Sequence, residues 1–176
     1  MKKPNLLRSH LLASLPELAK NPDRLLIFVD EGRMVNTLAN GLSFEYRYTL
    51  NVIITDFAED MAAVAVALYA WLRDHQSELL ANLDKAKDGV KFVADILDNR
   101  KVDLSITLPL TERVIVKETD GKAVFDYPAE PTYTRPTPTQ KVQIIDAKND
   151  AVLGEFPTGM PEEKWMLEMP LVDIRG

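Results

Sequence analysis

The chain holds two histidines, His10 and His75, and no cysteine. Each histidine lies on a segment of helical periodicity with no second histidine three or four residues away, so neither opens a metal site of the helical kind. His75 follows Leu72 by three residues and Trp71 by four. That places its imidazole beside an apolar stripe, where it reads as a donor to a backbone or partner group at a helix boundary. Without cysteine there is no thiol catalysis, zinc–thiolate centre or disulfide framework. The seven glycines are scattered and form no phosphate-cradling loop. None of Ser9, Ser14, Ser43, Ser77 and Ser105 sits between glycines, so no nucleophile elbow exists. Asp56, Glu59 and Asp60 could gather round a hard cation, but their spacing matches no calcium loop and Asp60 is placed to cap a helix. Asp146, Asn149 and Asp150 read as a solvated turn. No catalytic, cofactor or metal site is expected.

The residue types that remain suit contact better than catalysis. Glu45 and Arg47 share the polar face of a strand, where they face solvent or another subunit's sheet. The run Trp165, Met166, Leu167, Glu168, Met169 reads either as a core strand or as an apolar arm on a neighbour, because Trp and Met are enriched at interface cores. Pro128, Pro131, Pro136 and Pro138 upstream form a stiff, extended connector that would hold such an arm off the body. Pro109 cannot donate to a ladder, so its strand ends there or runs along an edge. Glu45, Arg47, Arg73, Pro109, Trp165, Met166, Leu167 and Met169 are the candidates for a subunit or partner interface.

The elements that must position them follow from periodicity. Leu7, Leu11, Leu15 and Leu18 are spaced by four, four and three, one stripe of a helix. Pro4 and Asn5 supply its start, and Pro16 kinks it or ends it near Ser14. Residues 25–29 form a short apolar run, with Asp30, Glu31 and Gly32 as a turn or bulge. Phe44, Tyr46, Tyr48, Leu50, Val52 and Ile54 alternate with Glu45, Arg47, Thr49, Asn51 and Thr55, leaving Ile53 as the exception. That pattern is a long, half-buried strand. Met61, Val64, Ala65, Leu68, Trp71, Leu72 and Leu79 then trace a second helix reaching Leu80. Alternation returns at 90–96 and 102–110, and 114–117 with 123–127 flank Asp120-Gly121 as a hairpin. Residues 142–145 and 152–156 could pair around 146–150.

The fold class is therefore α+β: a mixed or antiparallel sheet flanked by two main helices, with a β-rich C-terminal extension. The domain plan is an α+β body over 1–127, a proline-rich connector over 128–138 and an extension or arm over 139–176. At 176 residues, 46% of them apolar, such a chain buries roughly 70% of its unfolded surface and needs no metal or disulfide staple. The net charge of −6 leaves no basic block to gain counterion-release energy, which argues against reading nucleic acid. The most apolar stretch, 61–72, is too short and alanine-rich to cross a bilayer, and the first residues lack a signal-peptide pattern. The expectation is a soluble, cytoplasmic chain with no membrane contact.

Several strings in order carry a resemblance: Pro16-Glu17-Leu18 with Pro22-Asp23-Arg24-Leu25; Ser43-Phe44-Glu45-Tyr46-Arg47-Tyr48-Thr49-Leu50-Asn51; Trp71-Leu72-Arg73-Asp74-His75-Gln76; Leu97-Asp98-Asn99-Arg100; and residues 104–114. Over residues 4–117 the chain resembles the tail completion protein R family of temperate contractile-tailed bacteriophages and related tail-like bacteriocins. The resemblance implies a structural protein without catalytic residues. It implies six copies in a hexameric ring that caps the tail tube, stops elongation and meets the head-tail connector or collar, with the sheath as a further neighbour. The location would be the virion tail or tail-like particle, and the host cytoplasm during assembly. DNA would pass the lumen without specific binding, past a wall on which carboxylates outnumber basic groups. The strand near Pro109 and the arm over 164–175 are the expected ring contacts. A monomeric tail-assembly chaperone or connector is the second reading, and a small hydrolase built from dispersed carboxylates the third.

Overall fold

The computed structural model describes residues 1–36, 41–82, 87, 89–97, 101–130 and 140–158. Helix α1 (Lys3–Ser14) carries proline in its first turn, where the missing N–H has no intrahelical partner to lose. Leu15 is extended (φ −118°, ψ 102°), and Pro16 opens the short helix α2 (Pro16–Lys20). Proline pushes its predecessor out of the α region, so Pro16 ends α1 at Ser14. The apolar stripe nevertheless stays continuous in space: Leu7, Leu11, Leu15 and Leu18 are all fully buried.

After a single 3-10 turn (Pro22–Arg24) come β1 (Leu25–Val35), β2 (Phe44–Phe57), α3 (Met61–His75), α4 (Ser77–Ala81), β3 (Lys91–Ile96), β4 (Val102–Thr119) and β5 (Lys122–Asp126). The last described elements are β6 (Gln140–Asp146) and β7 (Ala151–Thr158). The main sheet has the order β1-β2-β4-β3, with β5 paired to the far end of β4; β6 and β7 form a separate ribbon. Every pairing is antiparallel, which narrows the expected mixed or antiparallel sheet to the second. The fold is α+β, as the sequence implies, with α1 and α3 the two main helices.

The inner face of the sheet buries Leu50, Val52 and Ile54 from β2 with Leu104, Ile106, Leu108 and Leu110 from β4. These meet Val64, Leu68, Trp71 and Leu72 of α3 and the leucines of α1 in one core. Asp60 caps α3 by accepting from the Ala62 N–H at 2.8 Å, the role its position implies. The β6–β7 hairpin packs on α1 and α3 and adds Ile144 and Phe156 to the same core. Gly154 makes that fit possible, because a Cβ there would stand 2.3 Å from the Ser14 carbonyl oxygen.

Three elements differ from the sequence expectation. The strand at 25–29 continues through a bulge between Val29 and Gly32 to Val35. The second helix does not run to Leu80. Gln76 breaks it (φ −151°, ψ 46°), because the Gln76 side chain reaches across to the main chain of Thr111. Finally, β4 does not end at Pro109, and 114–117 is no separate strand; one strand spans both.

Proline is tolerated there for a reason set by register. The Thr111 N–H donates to Gln76 Oε1 at 3.2 Å and its carbonyl accepts from Lys3 Nζ at 2.7 Å, so these groups point away from β2. Residues two apart point the same way, so Pro109 also turns its nitrogen away from β2. On that side β3 is already past its end, since its last pair with β4 is Lys91 opposite Thr107. Pro109 thus stands on a locally open edge of a strand that is central elsewhere.

Candidate functional site

Among the described residues, most of the buried polar and charged groups gather in one place, beneath the N-terminus of α1. Lys3, Gln76, Glu112 and Tyr48 are all nearly inaccessible to water. Glu112 projects from β4 and accepts from the Lys2 N–H (2.6 Å), the Lys3 N–H (3.3 Å) and the Tyr48 hydroxyl. Lys2 caps α1 with no side-chain bond of its own, so a carboxylate from the sheet satisfies the free amides at the positive end of the helix dipole. Lys3 Nζ is held by Gln76 Oε1 (2.7 Å), the Thr111 carbonyl and Glu130 Oε1 (2.7 Å). The Met1 amino group donates to the Tyr127 hydroxyl at 3.1 Å, and Lys2 Nζ lies 4.6 Å from the centre of that ring. Burial, and then the bond to Glu112, push the Tyr48 hydroxyl far above its ordinary pKa, so it stays a donor.

Every donor and acceptor here is used within the chain, and the cluster fixes α1 to the sheet. It has the chemistry of a structural anchor. His10 serves a similar end: its Nε2 donates to the Ala67 carbonyl at 2.9 Å, tying α1 to α3, and burial lowers its pKa. His75 stacks on Trp71 with ring centres 4.7 Å apart. Of the acidic groups, Asp56 contacts Lys101 at 3.3 Å and Asp60 is a cap. Asp146 and Asn149 accept from main-chain N–H groups of their own turn. Among the described residues no group of three or more His, Cys, Asp or Glu side chains could hold a metal ion, and no helix is long and apolar enough to cross a membrane.

Beside the anchor lies an open groove of about 980 Å³ lined by the β1 bulge (Asp30, Glu31), Arg47, Glu78 and Pro109. Of the interface candidates, Arg47 and Pro109 therefore face one hollow. Arg47 Nε holds Glu45 Oε1 at 2.6 Å, and both remain partly solvated. Arg73 lies on the exposed end of α3, 3.5 Å from Asp74, and is not brought to the groove. Trp165, Met166, Leu167, Met169 and the rest of the 164–175 arm lie outside the described residues, as do Pro131, Pro136 and Pro138 of the connector. Within the connector's described residues, Glu130 is tied to the body through Lys3.

Sequence reasoning missed the polar anchor, yet one signal was present. Glu112 continues the alternation of Leu104, Ile106, Leu108 and Leu110 onto the core face, where a carboxylate requires partners. The same reasoning read strands at 25–29 and 90–96 but did not place them as the outermost strands of the sheet. Leu26, Phe28 and Met34 on β1 and Phe92, Val93 and Ile96 on β3 are exposed apolar side chains on opposite rims of the sheet.

A fold whose largest buried polar cluster serves its own assembly, and which among the described residues exposes apolar side chains on both outermost strands of its sheet, has the character of a structural subunit. The family model of the P2 phage tail completion protein R (GpR) matches residues 1–131. Tail completion protein R of Escherichia phage P2 is 45% identical over 140 residues, covering 77% of this chain and 90% of that protein. The chain belongs to the tail completion protein R family: it is a structural protein of phage tail assembly and not an enzyme. No solved structure matches it.

Proposed function

We propose that copies of this protein join head to tail into a closed ring, six-membered as the family resemblance implies, which seats on the end of the tail tube and stops its growth. The observation that carries this reading is the pair of unlike, apolar rims on one sheet, each without a neighbouring strand among the described residues. A self-complementary dimer would use one rim twice, whereas a ring needs two different surfaces that fit each other. Closing the ring removes both edges from water, which a strand edge otherwise leaves as a template for uncontrolled pairing.

A ring presents two further faces, one to the tube end and one to the connector or collar. The groove holding Arg47 and Pro109 is a candidate for the first contact, with Arg73 a further partner residue. The 164–175 segment, rich in Trp, Met and Leu, is proposed as an arm onto a neighbour. DNA crosses the lumen without specific binding, and an excess of carboxylates, in line with the net charge of −6, keeps it from the wall.

Purified tails lacking this protein supply the test. Adding the protein and viewing the tails by negative-stain electron microscopy should show a cap on one end only, and tube subunits added afterwards should no longer lengthen the capped tails. Bare ends, or continued elongation, would dismiss the capping role. The arm is tested separately with a chain ending at Thr158, which keeps the hairpin that supplies Ile144 and Phe156 to the core. It should fold but lose ring formation.

A further inference from the structure

We infer that the joint between neighbouring copies is an antiparallel β1–β3 pair in one register, Phe28 opposite Val93. This rests on the ring reading above and adds to it which strands meet and how. The main sheet runs through four strands, β1-β2-β4-β3, each antiparallel to the next. An even number of alternating strands leaves β1 and β3 pointing in opposite directions. A second copy, placed beside the first without being turned over, therefore offers its β3 antiparallel to β1.

The main-chain groups agree. Thr111 points its N–H and carbonyl away from β2, so along β4 the odd-numbered residues bond on the β3 side and the even-numbered ones on the β2 side. Carrying this parity through the registers, Val93 bonds Ser105 and Asn51 bonds Phe28 inside the sheet. The groups left over on the rims are those of Leu25, Ile27 and Val29 on β1, and of Phe92, Ala94 and Ile96 on β3. Both sets carry their side chains on the core face of the sheet. Joining the rims thus pairs core face with core face, and a slip of one residue is forbidden because it would set buried against solvated positions.

Length and side chains select one register among those allowed. β3 has six residues, and only the pairing of Val93 with Phe28 fits them all between Leu25 and Asp30, before the β1 bulge disturbs the ladder. Phe92 then faces Val29, Ala94 faces Ile27 and Ile96 faces Leu25. On the outer face Val93 meets Phe28, and Lys91 stands opposite Asp30 with complementary charge. The contact covers side chains that the single chain leaves in water: Phe28 is 45% exposed, Phe92 66%, Val93 65% and Ile96 77%.

The absence of native cysteine gives a clean test. Val93 with Phe28 is a pair whose main chains do not bond each other, the kind in which side chains approach most closely. The full-length double variant Phe28→Cys/Val93→Cys is oxidised, both free at high concentration and bound to tails, alongside Leu26→Cys/Val93→Cys as the slipped control. Because the two positions lie on opposite rims, links can form only between copies. The first variant should give a ladder of linked species on a non-reducing gel, closing at the ring, and the control should lose most of it. A ring of full mass with no ladder from the first variant, or a stronger ladder from the control, would overturn this joint while leaving the ring intact. Monomer in both preparations would overturn the ring reading and the joint with it.

Discussion

Replacing Glu112 by alanine tests whether the buried cluster seats α1 on the sheet. The substitution removes the acceptor for the Lys2 N–H, the Lys3 N–H and the Tyr48 hydroxyl at once. Lys3 Nζ keeps Gln76, Thr111 and Glu130, so the loss falls on the helix terminus and the tyrosine. A hydrogen bond to a charged group contributes about 1.5–3 kcal/mol, and bonds sharing one acceptor are not additive. The substitution leaves three neutral donors without an acceptor, at about 1–3 kcal/mol for each that stays buried, and we take about 3–5 kcal/mol in all as the expected loss. For a chain of this size each kcal/mol shifts the melting temperature by roughly 2–4 °C, giving a fall of about 6–20 °C. Glu112→Gln keeps one acceptor oxygen and should lose about half as much. Thermal and urea unfolding followed by far-UV circular dichroism would measure both. A loss below about 1 kcal/mol for Glu112→Ala would show that apolar packing alone holds α1 in place and would refute the anchor.

Gly154→Ala should destabilise by about 1–3 kcal/mol, because its Cβ would press into the Ser14 carbonyl and push the β6–β7 hairpin off α1; the same unfolding experiment reads it. Asp60→Ala should cost about 1 kcal/mol through the lost cap of α3, with no change in ring mass. The Tyr48 pKa lies above its ordinary value of 10.0, so the native state holds this proton while the unfolded chain gives it up. Stability from this source is complete below pH 10 and declines as pH rises further, and Tyr48→Phe should flatten that decline in alkaline unfolding curves.

Periodicity made the helices and the long central strand legible, because a leucine every three or four residues and a six-fold alternation have one packing solution each. Tertiary contacts, which leave no local trace, decided the rest. Gln76 looks like one more polar residue on a long helix until Thr111, far along the chain, draws its amide across and breaks the helix. Pro109 signals an edge, and its strand does have one there, but the pairing with β2 on the other side carries the strand on to Val114, and β4 ends only at Thr119. Glu112 shows the same asymmetry: the alternation places it inward, while its three donors come from residues remote in sequence. The rims were hidden for a different reason. Phe28 and Phe92 read as ordinary strand residues, and only the strand order puts them on opposite outer edges.

The most direct measurement of the central claim is the solution mass of the full chain by light scattering over a wide concentration range. The account predicts a species near six times 19.8 kDa that forms as concentration rises. A mass that stays at 19.8 kDa at every concentration would contradict a ring that closes in free solution from the protein's own two rims.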